Sequence, residues 1–122
     1  MTVDELHSLG ENGATILNVG KHAGHEEIRG AVRYRPHDLL VAERLVLPLA
    51  PDKPVVLYDE RGGESDTERI AEKLRAEGFR VEVLDGGFAA WSDANGPTQQ
   101  PSMDQVVPPS RAGEAGKLDD RI

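Results

Sequence analysis

The stretch PVVLYDERGGES, residues 54–65, decides the fold class of this chain. Its first five residues form a short apolar run that is typical of a buried strand, and a helical spacing of apolar residues begins after Ser65. Residues 59–64 therefore form a loop from the carboxyl end of a strand to the amino end of a helix. In an α/β protein such a loop is where a nucleophile or an anion-binding site is normally built.

Strands and helices alternate on both sides of this loop. We expect helices at residues 2–9, 37–45, 65–77 and 88–91, and strands at residues 14–19, 31–34, 54–58 and 80–84. Thr2 with Glu5, and Ser65 with Glu68, have the spacing of capping boxes at the starts of two helices. The alternation predicts an α/β domain with a mainly parallel sheet.

The composition changes at Gly96. Residues 97–122 contain four prolines, few large apolar residues and no hydrophobic periodicity. Segments of this kind cannot bury enough apolar surface to offset the entropy of ordering. We therefore expect one domain over residues 1–96 and a disordered C-terminal tail over residues 97–122.

Charge and cysteine content exclude several functional classes. The formal net charge of −8 argues against nonspecific binding to nucleic acids or to an anionic membrane surface. The 122 residues include no cysteine, which excludes disulfides, thiolate metal sites and every cysteine-based mechanism. Residues 1–5 lack the features of a signal peptide, and no apolar run approaches the roughly 20 residues of a membrane span. We expect a cytoplasmic protein without a cofactor.

Four segments, taken together, resemble the rhodanese-like (sulfurtransferase) domain over roughly residues 1–96. They are ILNV at residues 16–19, EIRGAV at 27–32, VVLY at 55–58 and LDGGFAAW at 84–91. The last is nearly identical to the family's L-x-G-G-F-x-A-W pattern and is the most specific of the four. The resemblance implies a three-layer α/β fold in which helices flank a central parallel five-stranded sheet.

The resemblance also implies that residues 59–64 correspond to the family's active-site loop. In that family the loop begins with a cysteine, whose thiolate takes a sulfane sulfur from thiosulfate or a similar donor. Here Asp59 falls on the cysteine position, Glu60 stands where arginine is common, and Glu64 replaces the closing basic residue. Asn18 and Gly20 likewise replace an aspartate and an arginine of the first strand. The loop has the six residues of sulfurtransferases, so its length is kept while its chemistry is lost.

The loop supports one main interpretation and two alternatives. A carboxylate is a hard nucleophile that attacks sulfur poorly, so we predict no thiosulfate:cyanide sulfurtransferase activity and assign no catalytic residue. The main interpretation is a catalytically inactive binding or regulatory module, in which Asp59 accepts hydrogen bonds from the loop's own amides. One alternative is a residual enzyme, sulfurtransferase- or phosphatase-related, with non-cysteine chemistry at Asp59. The other is a small-ligand or cation site among the acidic side chains.

The candidate binding residues are those of the former active-site loop. They are Asp59, Glu60, Arg61, Gly62, Gly63 and Glu64, and we assign no metal to them. Arg61 opposes two glutamates, so we expect it to pair with Glu60 or Glu64 or to face a ligand carboxylate. A protein partner that binds here is compatible with the sequence, which does not identify it.

Two other polar clusters lie outside the loop. His22, His25, Glu26 and Glu27 have a spacing that would suit a metal, but an isolated H-x-x-H is weak evidence, and we expect a solvated polar loop. Arg33, Tyr34, Arg35 and His37 form a basic and aromatic cluster. These residues contact an acidic partner, line the rim of the pocket, or are ordinary strand-end residues with partly buried stems, the last being the main expectation. We expect Phe88 and Trp91 to belong to the core.

Overall fold

Helices and strands alternate along the chain in a computed structural model that describes residues 1–10, 12–22, 24–45, 47–105 and 107. The elements in chain order are α1 (Val3–Leu9), β1 (Thr15–Asn18), β2 (Glu27–Ile28), β3 (Val32–Arg33), α2 (Pro36–Val41), β4 (Val55–Tyr58), α3 (Ser65–Ala76), β5 (Val81–Val83), α4 (Gly87–Asp93) and β6 (Thr98–Gln99). No helix among these described residues is long and apolar enough to cross a membrane.

The central sheet has the strand order β3-β1-β4-β5, and each neighbouring pair is parallel. Strand β4 is buried along its whole length, as expected for a parallel strand that helices cover on both faces. This arrangement confirms the predicted α/β fold with a parallel sheet. The four strands of the described sheet come close to the five that the resemblance implies. Strands β2 and β6 form a separate antiparallel pair.

Two hydrophobic clusters lie on opposite faces of the sheet. Along β4, Val55 and Leu57 belong to one cluster, whereas Val56 and Tyr58 belong to the other. This division follows from the two-residue period of a strand. Helices α2 and α3 cover the first face, and helices α1 and α4 cover the second. Each large apolar side chain buried in this way contributes about 1.5–3 kcal/mol.

The two predicted capping boxes have different outcomes. At α1 the box is present, because the Thr2 side chain accepts from Glu5 N and the Glu5 side chain accepts from Thr2 N. At α3 the prediction was wrong: the N-cap is Glu64, and Ser65 is already helical. The N–H of Glu64 donates instead to Asp59 Oδ2, so a loop side chain takes over part of the capping role.

Helix α2 ends at Val41, earlier than the predicted Leu45. Lys73 Nζ on α3 donates to the carbonyl oxygens of Leu39, Leu40 and Ala42. These bonds satisfy carbonyls that a longer helix would have paired internally. Leu45 still reaches the core and is buried there, although it lies outside the helix.

The ordered chain continues past the predicted domain boundary at residue 96. Thr98–Gln99 pairs with β2, and an isolated parallel bridge joins Asp104 to Arg33 on the outer edge of β3. The side chain of Glu27 is fully buried and accepts from Gln99 Nε2 at 2.7 Å and from Ser102 N at 2.8 Å. A buried carboxylate needs such donors, which explains why these polar residues pack. Residues 97–105 therefore contact the domain beyond the predicted boundary, and the disordered tail stays a prediction; residues 106 and 108–122 lie outside the described residues.

Candidate functional site

Asp59 follows β4 directly and lies inside the loop that leads to α3. Its side chain is buried, with 1% of the residue surface exposed. Oδ1 accepts from Gly62 N, and Oδ2 accepts from Glu64 N at 3.1 Å and from Thr67 Oγ1 at 2.7 Å. The carboxylate therefore occupies the interior of the loop and uses two of the loop's own amides. This is the arrangement that the main interpretation of the sequence predicts.

Two glycine pairs allow the loop to close around this carboxylate. Gly62 and Gly63 have φ values of 79° and 84°, in the left-handed region that glycine adopts without strain. Gly87 has a φ of 60°, and a Cβ atom there would lie 2.3 Å from Asp59 O and 2.7 Å from Gly62 N. Only glycine fits at that contact.

The amino end of α4 is hydrogen-bonded to the same loop. Phe88 N donates to Asp59 O, and Ala89 N donates to Glu60 O, both at 2.8 Å. The LDGGFAAW segment thus fixes the backbone of residues 59–62 from the side opposite to α3. The motif contains Gly86 and Gly87, but the sequence alone does not indicate that they contact the loop.

Thr67 is a second site residue that the sequence reasoning missed. It lies between Ser65 and Glu68 of the predicted capping box, is 1% exposed and donates to Asp59. The available signal was its spacing, because Thr67 shares the apolar face of α3 with Ile70, Ala71 and Leu74. A threonine on a buried helix face needs a partner for its hydroxyl, and the nearest loop supplies one.

The outer side of the loop is acidic. Glu60 is exposed and Glu64 is half-buried. Both line a cleft of about 440 Å³ with Phe88 and with the segment after β1, which we call the acidic cleft; its remaining lining residues are Lys21, His22, Gly24, His25 and Glu26. Among the described residues, no ion pair joins Arg61 to either glutamate, so the expected pairing is not formed. Phe88 belongs partly to the core and partly to this cleft.

The histidine and glutamate side chains of the H-x-x-H-E-E segment do not converge on one point. His22, His25 and Glu26 are exposed on the cleft wall, whereas Glu27 points into the protein and binds Gln99 and Ser102. No group of three histidine, aspartate or glutamate residues in the described part of the chain is arranged to hold a metal. The polar-loop interpretation fits this geometry.

A second cleft of about 510 Å³ lies beside the first and contains most of the predicted basic cluster. We call it the basic cleft; it is lined by Lys21, His22, Arg33, Arg35, Pro36, His37, Asp66 and Asp104. Tyr34 does not belong to it, because its ring lies in the core and burial raises the pKa of its hydroxyl.

Aromatic residues support the strands beneath both clefts. Tyr58 is buried, which raises the pKa of its hydroxyl, and that oxygen accepts from Ile28 N at 3.1 Å. Trp91 lies in the core, where its ring stacks on His7 with centroids 4.4 Å apart and its Nε1 donates to Pro97 O. Each of the two rings therefore forms a hydrogen bond with a backbone segment that lies outside its own helix or strand.

Comparison with known proteins identifies the family. The Rhodanese-like domain profile matches residues 2–94, so this chain belongs to the rhodanese-like family. Structure comparison finds the Alr3790 protein from Anabaena sp., with 29% identity, a TM-score of 0.64, and coverage of 83% of this chain and 80% of that one. Thiosulfate sulfurtransferase from Pseudomonas aeruginosa matches with 23% identity and a TM-score of 0.69, over 98% of this chain and 25% of that one.

A further solved structure is RPA3614 from Rhodopseudomonas palustris, described as a possible tyrosine phosphatase. It shares 25% identity and a TM-score of 0.61, over 80% of this chain and 82% of that one. None of the curated proteins compared with the sequence matches it. The chain thus has the rhodanese-like fold without any cysteine, which is compatible with a non-catalytic domain.

Proposed function

We propose that this protein is a catalytically inactive rhodanese-like domain that acts as a binding or regulatory module. In this proposal Asp59 stands at the position of the family's catalytic cysteine. The observation that carries the proposal is the buried Asp59 carboxylate, which accepts from Gly62 N, Glu64 N and Thr67 Oγ1 inside the loop.

Burial and chemistry both argue against turnover at Asp59. A nucleophile must reach its substrate, whereas this carboxylate is 1% exposed and directed at three internal donors. An oxygen nucleophile is also poorly matched to sulfur, for which a thiolate is the effective attacking group. Phosphoryl transfer needs cations that neutralise the transferred group, and here Glu60 and Glu64 flank Arg61.

The proposed binding surface is the mouth of the former active site. It combines residues 59–64 with the walls of the acidic and basic clefts, which lie at the carboxyl ends of β1, β3 and β4. Ligands of open parallel sheets bind at this edge. The ligand that we propose is a protein partner in the cytoplasm, and we propose that the domain binds it without a cofactor. We also propose that the domain includes the packed residues 97–105.

The first experiment is a cyanolysis assay on the purified protein with thiosulfate as donor. We expect a rate equal to that of a heat-inactivated control, because no thiolate is present and Asp59 is enclosed. Clear turnover above that control would contradict the inactive assignment.

A pair of variants tests whether Asp59 occupies the cysteine position. Asp59→Cys combined with Glu60→Gln and Glu64→Gln should gain the mass of one sulfur atom after incubation with thiosulfate. The matched control carries only Glu60→Gln and Glu64→Gln and should gain nothing. A correctly folded triple variant that never takes up sulfur would argue that position 59 is not equivalent to the cysteine.

A further inference from the structure

The basic cleft is a local exception in an acidic protein. The chain carries a formal net charge of −8, yet this cleft collects Lys21, Arg33 and Arg35 together with two histidines. Two aspartates oppose them, Asp66 and Asp104. The cleft therefore has the charge to attract a carboxylate, and one of its own acidic residues already occupies it.

The guanidinium group of Arg33 on β3 has good hydrogen-bond acceptors at Nη1 and a poorly placed one at Nε. It is 3% exposed, and its Nη1 donates to Gly20 O at 2.5 Å and, at 3.3–3.4 Å, to Asn18 Oδ1 and Asn18 O. Among the described residues no acceptor forms a hydrogen bond with its buried Nε, and Asp104 Oδ1 approaches it only to 3.5 Å. A buried guanidinium N–H without a good acceptor costs free energy, so a better-placed carboxylate would be favoured here.

Asp104 fills this place from a short segment with few contacts of its own, between Ser102, which donates to Glu27, and Val107, which packs against the core. Its carboxylate makes one close ion pair, from Oδ2 to Arg35 Nε at 2.7 Å, and its side chain remains 38% exposed. The backbone contributes a single parallel bridge, in which Gln105 N donates to Arg33 O at 2.7 Å. The preceding Met103 is 86% exposed. Residues 103–105 therefore follow the outer edge of β3 without forming a full strand.

We propose that the outer edge of β3 and the basic cleft form a docking site for an extended acidic segment of a partner protein. The segment adds to β3 as a strand in place of residues 103–105 and sets a carboxylate between Arg33 and Arg35. This inference rests on the proposed binding function and adds to it the location, the chemistry of the partner and a competing internal segment. Strand addition supplies main-chain hydrogen bonds, and the arginines select the acidic side chain.

A peptide fits these features better than a nucleic acid. The Arg33 carbonyl on the strand edge accepts from a peptide N–H, as it does from Gln105. A phosphate chain offers no such donor and would approach a protein of net charge −8. Beyond Asp104 the cleft still has Lys21 and His37 on its walls, which can accommodate a second acidic side chain.

The test is a titration of the full-length ¹⁵N-labelled protein with a synthetic peptide, PSMDQVV, that copies residues 101–107. Amide resonances of residues 33–35 and 103–105 should shift, while those of residues 60–64 should not. Asp104→Asn weakens the internal competitor and should tighten binding at least about threefold. Adding Arg35→Gln to that variant should abolish the gain in affinity. Adding Arg80→Gln instead should not, because Arg80 is exposed and precedes β5, the strand at the opposite edge of the sheet.

Several outcomes would overturn the inference. They are the absence of shifts in every variant, equal binding of a peptide with asparagine in place of aspartate, equal shifts from inorganic phosphate, and a concentration-dependent dimer that makes a second copy the occupant. Peptide shifts confined to residues 60–64 would also overturn it while leaving the proposed binding module intact. Turnover in the cyanolysis assay would instead remove the proposed function without changing the peptide result, so the two failures are distinguishable.

Discussion

The loop at residues 59–64 and the basic cleft both lie at the carboxyl ends of the strands of the central sheet, and each contains an aspartate of the chain itself. Asp59 is 1% exposed and has three internal donors, whereas the Asp104 side chain is 38% exposed and has one close partner, Arg35. Burial and the number of donors thus separate a carboxylate that is part of the fold from one that a competitor can displace. The comparison also explains why the interior of the loop is closed, whereas the place beside Arg33 and Arg35 is held only by a partly exposed side chain.

The largest effect is expected from Asp59→Ala. The change leaves the partly buried Gly62 N and Glu64 N and the buried Thr67 Oγ1 without their acceptor. We expect the free energy of unfolding to fall by about 4 kcal/mol, since each buried unpaired donor costs on the order of 1–3 kcal/mol. Urea unfolding measures the change, and a loss no larger than that of the exposed control Asp52→Ala would show that the carboxylate does not hold the loop.

Gly87→Ala tests the contact between α4 and the loop. Both the positive φ and the 2.3 Å approach to Asp59 O oppose a Cβ atom, so we expect a loss of about 2–4 kcal/mol. Gly78→Ala is the matched control, because Gly78 has a φ of 97° but no atom near its Cβ position. Its loss should be about 1–2 kcal/mol, from backbone strain alone. Equal losses for the two variants in thermal or urea unfolding would rule out the steric contact.

Thr67→Val removes one donor from Asp59 while keeping the shape of the side chain. We expect a loss of about 1–2 kcal/mol, because the hydroxyl bonds to a carboxylate in a buried place. Thr67→Ser keeps the hydroxyl and should recover part of this stability in the same unfolding experiment. If the Thr67→Val variant is as stable as the wild-type protein, the hydrogen bond does not contribute to the free energy of unfolding. The loop is then held by its amide hydrogen bonds alone.

The smallest effect is expected from Asp104→Ala. The ion pair with Arg35 is screened by solvent, and the buried Arg33 keeps its hydrogen bonds to Gly20 O and Asn18 Oδ1, so the loss of unfolding free energy should be less than about a quarter of that for Asp59→Ala. The ratio of the two losses of unfolding free energy, measured under identical conditions, shows how much more the loop depends on its aspartate than the basic cleft does. A loss at Asp104 as large as that at Asp59 would mean that residues 103–105 are a fixed part of the fold.

Much of the fold was predictable from local pattern. The buried strand Val55–Tyr58 is a continuous apolar run, and Thr2 with Glu5 forms the capping box that their spacing predicts. The LDGGFAAW segment led to the correct family because its glycines are required by the loop that they contact.

The remaining features depend on contacts between residues far apart in the sequence. The burial of Glu27 becomes favourable only through Gln99 and Ser102, more than 70 residues later. The same reason explains the packed residues beyond Gly96, whose polar composition resembles that of a disordered tail. Ser65 has the spacing of a cap, but Asp59, which the fold places next to the helix, receives the Glu64 N–H instead.

One measurement tests the central claim most directly: a titration of the ¹⁵N-labelled protein with sulfate, followed at the amide resonances of residues 60–65. Because Asp59 already fills the loop from within, we predict that these resonances do not move at low millimolar sulfate. The Asp59→Ala variant, if folded, provides the matched comparison in which the amides are free to bind the anion. Saturable shifts of residues 60–65 in the wild-type protein would contradict the account.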